Sequence, residues 1–589
     1  MGRANWRPKD QLGYWPKVIF LALPEQRKLR VVPVGYVSLD LAMKLPTPMR
    51  RSLESERFHV VVVGGGIHGV AIARECARSG RRTLLLEQND FGSGTTSRST
   101  RLLRGGLHSL QQGDISFVRE SLREQQRLLR QYPHLVHPSQ AVMVAPQDGA
   151  ISGLRLRTGL WLYRRMAGSR AGVATSTMER YKLERLLDSG RQWSLFNFED
   201  AQCDFPERMV AEWLAEAVAA GAVVRNHTEV LALNLFHGRA KGLLMRDLLS
   251  GKEEPVEANW IVNATGPWAE RLFQRSRISM KGPMFTTVRG SHIVFPRFPG
   301  APESAIHTKN EDGSPFFIVP WAEQILVGTT ATPDSSDPGA TEPSKAEIEY
   351  LTQSFSRLFP KSKLSVRDIR YAYAGLRAVP KSRGTQFSSL GDKCYVHDHK
   401  ADGAAQMLSV VGGSLITAAE VGRQCCAMVG GRRAAAASVT IVGQEDLDPM
   451  LDRWTLEIAE SGGISEASAR GIVEWHGKRA PAVAELATSS VQMRAPLCCH
   501  TDHIVAEAVF ALSNEHAFTL ADVLLRRVPV ALGRCWSETC SRDAAMRIGA
   551  VVGWNEHETA AELEAFENER SRFLRKPNHP QRMLQAAAD

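Results

Sequence analysis

The sequence predicts a mixed fold, α/β plus α+β, on three observations. A βαβ pattern with a glycine-rich turn opens the folded part near residue 58. Short β-rich segments separated by Pro, Gly and Asp fill residues 280–375, and the chain after residue 440 has mostly helical periodicity. Because 589 residues exceed what one hydrophobic core organises, several domains are expected.

The predicted domains follow these changes of pattern. A Rossmann-type nucleotide-binding domain is expected to be discontinuous, with a first part at 58–279 and a return segment at 376–435. The antiparallel sheet at 280–375 is expected to carry a substrate site, and residues 440–589 form a helical C-terminal domain.

The N-terminal extension, residues 1–57, is rich in arginine and lysine and poor in acids. Such a bias is found in mitochondrial presequences. Two alternatives remain open, namely a disordered basic extension and a misassigned start codon. No apolar run approaches the ~20 residues that a membrane span needs, so no transmembrane span is predicted.

Charge and cysteine content limit the classes of partner. The net charge of +10 fits an anionic substrate or a membrane surface. The charge is dispersed and no RNA-binding or zinc-finger signature occurs, which argues against nucleic acid. Nine cysteines include the neighbours Cys425-Cys426 and Cys498-Cys499 but no CxxC pairing, so inert thiols and no metal site are predicted.

The first elements of the folded part are a strand at 58–63, a helix at 70–79 and a strand at 83–86. A long surface helix is expected from Gly105 to about Tyr132, because Arg, Glu and Leu recur there with helical periodicity.

The turn between the first strand and helix has the pattern GxGxxG, formed by Gly64, Gly66 and Gly69. The first glycine permits the tight turn, the second lets a pyrophosphate approach the backbone, and the third lets the helix pack on the strand. Glu87 closes the second strand, where a carboxylate can accept hydrogen bonds from ribose hydroxyls. Together they predict a dinucleotide site.

Two further glycine turns decide which dinucleotide is expected. Gly266 lies in "IVNATGPWAE" at 261–270, and Gly412 and Gly413 lie in "LSVVGGSLITAAE" at 408–420. A helix N-terminus after the second turn can stabilise negative charge on a reduced flavin. Each turn alone is also compatible with an ordinary strand-helix corner, but their joint presence favours FAD.

The sequence resembles the FAD-dependent glycerol-3-phosphate dehydrogenases, within the D-amino-acid-oxidase-like flavoproteins. The resemblance spans roughly 58–570 and rests on an ordered series of motifs. They are the GGGIxGxxxA turn, "LLEQNDFGSGTTSRSTRLLRGGL" at 85–107, "VNATGPW" at 262–268, "GSHIVFP" at 290–296, "AGLRAVP" at 374–380 and "TLADVLLRR" at 519–527.

The resemblance implies a reaction and a set of site residues. The family oxidises glycerol 3-phosphate to dihydroxyacetone phosphate and passes electrons to quinone at a membrane surface; with the basic N-terminus, this implies the mitochondrial inner membrane. His292 matches the family histidine that accepts the hydroxyl proton, and Arg377 matches the arginine that contacts substrate. The flavin-contacting loop matches Thr95, Thr96, Ser97 and Arg101.

Several family positions are changed in this chain. Where the family has GGLRYL, GGKLTT, GTTD and an Arg-Asp pair, this sequence has His108, Ser109, Ser414, Ala331 and Gly391. Arg104 and Arg289 are candidates to replace the lost cations. Two alternatives therefore stay open: a related flavin dehydrogenase or oxidase with another substrate, and an FAD-binding paralogue without turnover.

Overall fold

A computed structural model describes residues 50–111, 113–147, 153–167, 177–278, 280, 282–380, 393–430, 444–533 and 537–576. Most of the predicted N-terminal extension and the changed position Gly391 therefore lie outside the described residues.

The strands belong to two sheets. In chain order they are β1 (Arg57–Val63), β2 (Thr83–Leu86), β3 (Leu102–Leu103), β4 (Val136–Pro146), β5 (Trp193–Cys203), β6 (Val223–Arg225), β7 (Thr228–Phe236), β8 (Arg239–Asp247), β9 (Glu253–Asn263), β10 (Phe285–Pro296), β11 (Ala305–Lys309), β12 (Pro315–Trp321), β13 (Gln324–Gly328), β14 (Thr332–Pro333), β15 (Tyr371–Pro380), β16 (Cys394–Asp398) and β17 (Met407–Gly412).

The helices cover both sheets and form the C-terminal part. They are α1 (Ile67–Arg78), α2 (Leu107–Gln111), α3 (Ile115–Gln131), α4 (Gly153–Ala167), α5 (Thr177–Leu186), α6 (Pro206–Ala219), α7 (Ala269–Arg275), α8 (Lys345–Leu358), α9 (Ala418–Met428), α10 (Gln444–Gly462), α11 (Glu466–His476), α12 (Ala480–Thr488), α13 (Val505–Asn514), α14 (Leu520–Asp522), α15 (Glu538–Val552) and α16 (Glu556–Phe573).

The first sheet has eight strands and the order β16-β17-β9-β1-β2-β6, with β8 and β7 extending from β9. The pairs from β17 to β6 are parallel. Val60 and Val62 of β1 pack in one core with α1, while Val61 and Val63 pack in another core on the opposite face. Such double coverage is typical of a parallel sheet with helices on both sides.

The second sheet has nine strands in the order β14-β10-β13-β12-β11-β4-β5-β3, with β15 also paired to β10. One face packs on α8 through Phe295 and Phe355. The opposite face shares a core with the C-terminal helices, for example through Tyr373 and Phe573. Strands β3, β4 and β5 of this sheet come from the stretch predicted for the nucleotide-binding domain, so the two sheets interleave along the chain.

The fold class predicted from the sequence, α/β plus α+β with a discontinuous Rossmann-type part, is confirmed. Strand β17 returns to the parallel sheet after the whole second sheet, and helices α10 to α16 follow it. The exact domain ranges stay a prediction.

The single long helix predicted from Gly105 to about Tyr132 is wrong. Helices α2 and α3 replace it, because Gly113 adopts a φ of 81° and ends helical geometry there. Asp114 then starts α3 as its N-cap and accepts a hydrogen bond from the backbone N–H of Phe117.

Candidate active site

The glycine turn joins β1 to α1 at very short range. Gly64 has a φ of 104°, which L side chains rarely adopt. A Cβ at Gly69 would lie 1.8 Å from the carbonyl oxygen of Gly64, so strand and helix touch without room for a side chain. A Cβ at Gly66 would meet only Thr96 Oγ1, at 3.4 Å, and otherwise point into open space. A phosphate can therefore approach the backbone at Gly66.

Glu87 lies directly beside this turn. Its Oε2 accepts a hydrogen bond from the Gly65 N–H at 2.6 Å, and its Oε1 accepts one from the Asn89 N–H at 2.9 Å. Burial raises the pKa of the Glu87 carboxyl, while these two backbone N–H groups lower it. The two contacts hold the carboxylate in one orientation, and Glu87 lines the cleft that the turn borders.

The cleft has a volume of about 810 Å³, near the upper end of ordinary small-molecule sites. Six of the residues predicted to bind cofactor line it: Gly64, Gly66, Glu87, Thr95, Thr96 and Gly266. The sequence reasoning missed its far wall, which comes from the C-terminal part: Arg526, Asn568, Glu569, Arg572 and Phe573. Two motifs were signals for that wall, "TLADVLLRR" at 519–527 and "GWNEHETAAELEAF" at 553–566, whose resemblance to the family covers the start of α16.

The hydroxyl-rich loop at 95–101 links the two sheets. Thr95 Oγ1 donates to the carbonyl of Leu376 in β15 at 2.7 Å. Thr96 Oγ1 accepts from the first N–H of α1, that of Ile67, at 3.1 Å. These two contacts fix the start of α1 against the antiparallel sheet.

Two other predicted members of this loop have protein partners. Ser97 is buried and donates to the Gly92 carbonyl at 2.7 Å. Arg101 is fully buried and forms an ion pair with Glu207, with Nη1 and Oε2 3.0 Å apart. Neither lines the cleft, so a contact of either with the cofactor stays a prediction.

The Gly412-Gly413 turn lies against the first turn of α1. Both glycines have positive φ values, 81° and 96°. A Cβ at Gly413 would lie 2.5 Å from His68 Nε2, so the close approach requires glycine. The predicted helix follows after one 3₁₀ turn at Leu415–Thr417. The two glycine turns, distant in sequence, thus meet at one edge of the parallel sheet.

His292 lies on β10, on the face of the second sheet that meets the 95–101 loop. Its Nε2 is 3.0 Å from Thr100 Oγ1, and its ring stacks on Tyr373 with centroids 5.0 Å apart. Its Nδ1 is buried and has no hydrogen-bond partner within the described part of the chain. Burial lowers the pKa of His292 to about 3, and the positive charges of Arg377 and Arg101 act in the same direction. The imidazole is therefore neutral, with an unprotonated nitrogen.

Arg377 shares this face. Strand pairing sets His292 opposite Tyr373 and Val288 opposite Arg377, and residues two apart on a strand point the same way. Between Tyr373 and Arg377 is Gly375, where a Cβ would lie 2.8 Å from the Cβ of Arg98. The structure thus brings both predicted catalytic residues to one face of the second sheet. The 95–101 loop packs against this face.

Comparison with known proteins agrees with this geometry. The family described as "FAD dependent oxidoreductase" matches residues 59–418, and that described as "C-terminal domain of alpha-glycerophosphate oxidase" matches residues 434–559. A glycerol-3-phosphate dehydrogenase of Synechocystis sp. is 30% identical over 503 residues, which cover 82% of this chain and 90% of the relative.

The chain belongs to the FAD-dependent glycerol-3-phosphate dehydrogenase family. An aerobic glycerol-3-phosphate dehydrogenase of Staphylococcus saprophyticus is 25% identical, over 81% of this chain and 88% of that protein. The glycerol-3-phosphate dehydrogenase of Bacillus halodurans, solved with FAD, has the same fold, with a TM-score of 0.69 and 19% identity. That match covers 88% of this chain and 96% of the solved one.

FAD is the cofactor of this family member, and the residues present fit it. The open space at Gly66 suits the pyrophosphate, the fixed Glu87 carboxylate suits a ribose, and the cleft between them has room for both. The Gly412-Gly413 turn lies where a second helix N-terminus meets the same edge of the sheet.

The changed family positions have varied surroundings. Ser109 is buried, Ala331 is exposed, and Ser414 has a buried Oγ without a hydrogen-bond partner in the described residues. Serine at position 414 thus leaves a short polar side chain where the family lysine would place a cation. The side chain of His108 lies outside the described residues.

The two arginines expected to compensate differ. Arg289 Nη1 is 2.6 Å from Asp334 and its Nε is 2.9 Å from Glu347, so two carboxylates already neutralise it. The Arg104 guanidinium lies over the ring of Phe317, 5.3 Å from its centroid. Phe317 pairs with Gly328, which pairs with His292. Arg104 therefore contacts the same sheet face that carries His292, two strands away from it.

Within the described residues of this family member, no helix combines the length and the apolar character needed to cross a bilayer.

Proposed function

We propose that the protein oxidises sn-glycerol 3-phosphate to dihydroxyacetone phosphate and that its electrons pass on to a quinone. The observation that carries the proposal is the placement of a neutral, buried His292 and two arginines, Arg377 and Arg104, on one sheet face beside the FAD cleft. FAD supplies the acceptor for the hydride that leaves C2 of the substrate. The chain's own residues must remove the hydroxyl proton and hold the phosphate.

His292 is proposed as the base. Its Nδ1 has no partner in the described chain, whereas Nε2 is beside the Thr100 hydroxyl, so one nitrogen is positioned and the other can take a proton. Stacking on Tyr373 fixes the ring plane. The C2 hydroxyl proton moves to the imidazole as hydride leaves C2, which gives the ketone and an imidazolium. Arg377 stabilises the negative charge that develops on the oxygen.

Arg104 is proposed as the principal phosphate contact. A dianionic phosphate needs cations nearby, and the family lysine is replaced by Ser414 here. The guanidinium lies over the ring of Phe317, which is on the same sheet face as His292.

Anaerobic reduction tests the proposal directly. Purified FAD-loaded protein mixed with glycerol 3-phosphate should lose its oxidised flavin absorbance, and dihydroxyacetone phosphate should form in equal amount. The loss of family cations favours a second candidate, a dehydrogenase or oxidase for another hydroxy acid or amine. Reduction by such a compound but not by glycerol 3-phosphate would establish that candidate instead. A flavin that no compound reduces would indicate a paralogue without turnover.

Replacing Arg104 with Gln should raise KM for glycerol 3-phosphate and leave kcat within a few-fold. Loss of one charge-assisted hydrogen bond costs about 1.5–3 kcal/mol, which corresponds to roughly 10- to 150-fold in kcat/KM. Arg104→Lys should recover part of the loss because it keeps the charge. The exposed Arg297 on the same sheet domain offers a matched Arg297→Gln control. Equal KM values for the Arg104 and Arg297 variants would contradict the phosphate role.

We further propose that the protein works at a membrane surface, because its net charge of +10 suits anionic lipid and quinone dissolves in the bilayer. The bacterial origin of the relatives gives no support to mitochondria, so import directed by residues 1–57 stays a prediction from composition. Co-sedimentation with anionic vesicles containing quinone, compared with neutral ones, tests surface binding. Expression of the full chain with a C-terminal fluorescent tag tests import.

A further inference from the structure

Two cysteines and a histidine of the C-terminal part lie close together, and none of them lines the FAD cleft. Cys498 and His500 belong to the loop between α12 and α13, and Cys540 lies in the first turn of α15. The prediction of inert thiols without a metal site considered CxxC spacing alone. Forty residues separate His500 from Cys540, so no local spacing reveals this group.

The three side chains have the geometry of a metal site. One potential ligand atom of each, Sγ or a ring nitrogen, lies within 4.8 Å of the others, and His500 Nδ1 is 3.0 Å from Cys540 Sγ. A tetrahedral zinc ion with Zn–S near 2.3 Å and Zn–N near 2.0 Å needs ligand atoms about 3.5–3.8 Å apart. Small side-chain rotations achieve that.

The surroundings suit two thiolates. Cys498 and Cys540 are buried and contact each other as a cluster separate from the larger hydrophobic cores. Cys540 is the third residue of α15, and its N–H donates to the Oγ of the N-cap Ser537. A helix N-terminus favours negative charge on a side chain in its first turn. His500 is exposed, so a metal ion can enter from solvent.

The backbone holds the loop in place before any metal binds. The Leu497 N–H donates to the His503 carbonyl at 2.8 Å, and Pro496 and Ile504 form an isolated β-bridge. Cys498 and His500 therefore come from a closed loop whose two ends are joined. A largely preformed ligand set costs little conformational entropy on binding.

We propose that Cys498, His500 and Cys540 bind one zinc ion. The two thiols lose their protons on binding, and the two thiolates balance the charge of the ion without any redox change. Cys499 lies beside this group, with its Sγ 3.5 Å from His500 Nδ1. The ion would fasten the 496–504 loop to α15 and so stabilise the C-terminal part independently of FAD.

The test is metal content of the full-length FAD-loaded protein. After dialysis against metal-free buffer, elemental analysis should find about one zinc per chain. Replacement by Co²⁺ should give ligand-field bands at wavelengths beyond the flavin absorbance, of the intensity of a tetrahedral thiolate site. Absence of zinc and no such bands after Co²⁺ addition would overturn the proposal.

Matched variants separate a site from adventitious binding. Cys540→Ser should weaken zinc affinity by more than about 100-fold, beyond the 10- to 100-fold effect of losing a group that merely supports a ligand. His500→Ala should also weaken it, while His557→Ala, which removes an exposed histidine from α16, should not. Equal zinc content in the His500 and His557 variants would overturn the proposal.

A disulfide between Cys498 and Cys540 is the competing use of the same residues. Mass spectrometry of the intact chain, alkylated after denaturation without reductant, distinguishes the two. If both cysteines are alkylated, the disulfide is excluded; a Cys498–Cys540 peptide joined by a disulfide in freshly purified protein overturns the zinc proposal. None of the substituted residues lines the FAD cleft, so we expect each variant to keep FAD, and its flavin absorbance then confirms that it is folded.

Discussion

Replacing His292 with Asn should lower kcat for glycerol 3-phosphate by about 10²- to 10⁴-fold, the range for loss of a general base. Asparagine can still meet the Thr100 hydroxyl but cannot take up the substrate proton. Because His292 does not line the cleft of the dinucleotide, FAD content should be unchanged. Stopped-flow measurement of flavin reduction under anaerobic conditions isolates this step from the later electron transfer to quinone.

The pH dependence of kcat/KM is a second test of the role of His292. The pKa of His292 is lowered to about 3, so its base form persists as the pH falls from 8 to 5. The ratio of kcat/KM for the normal enzyme to that for His292→Asn cancels the ionisation of the substrate phosphate. We expect this ratio to stay flat between pH 5 and 8. A ratio that falls with a midpoint near 6.5 would show a base with an ordinary histidine pKa.

A suitable control is His134→Asn. Burial also lowers the pKa of His134 to about 3, yet it lies beside Gly477 rather than on the substrate face. If both variants lost activity equally, the effect of the His292 change would be structural. Retained activity in His134→Asn together with the loss in His292→Asn assigns the proton transfer to His292.

The nucleotide half of the site could be predicted because its signals are local. Gly64, Gly66 and Gly69 lie within six residues: the φ angle of Gly64 and the backbone contact at Gly69 require glycine, and Gly66 leaves the backbone open to a phosphate. Glu87 follows one strand later and contacts the same turn. The geometry of this turn is therefore determined by residues that are close together in sequence, and it needs no contact with residues distant in sequence.

The substrate half could be predicted only in part, because its partners are distant in sequence. His292 and Arg377 are predicted from motifs, but whether Arg289 is already neutralised depends on carboxylates that only the fold supplies. Asp334 and Glu347 neutralise Arg289, and nothing in the residues around position 289 reveals that. The burial of Arg101 against Glu207 could not be predicted from the sequence either, because Glu207 is distant from Arg101 along the chain.

The remaining large prediction concerns Gly66. Replacing it with Ala should leave the fold intact, since its φ is −70° and a Cβ meets only Thr96 Oγ1 at 3.4 Å. The methyl group would instead occupy the space through which pyrophosphate reaches the backbone. Loss of two charge-assisted hydrogen bonds, about 1.5–3 kcal/mol each, would weaken FAD binding by roughly 10²- to 10⁴-fold. Equilibrium titration of the apoprotein with FAD measures this.

Gly69→Ala provides the contrast that makes the Gly66 result interpretable. Its Cβ would lie 1.8 Å from the Gly64 carbonyl, so strand and helix must move apart whether FAD is present or not. We therefore expect the apoprotein of Gly69→Ala to melt several degrees lower, while Gly66→Ala apoprotein melts as the normal one does. Gly159→Ala in α4, where a Cβ meets nothing within 4 Å, should leave FAD affinity unchanged and should not lower the melting temperature. Normal FAD affinity in Gly66→Ala would mean that the phosphate does not approach the backbone there, and the cofactor would have to lie elsewhere in the cleft.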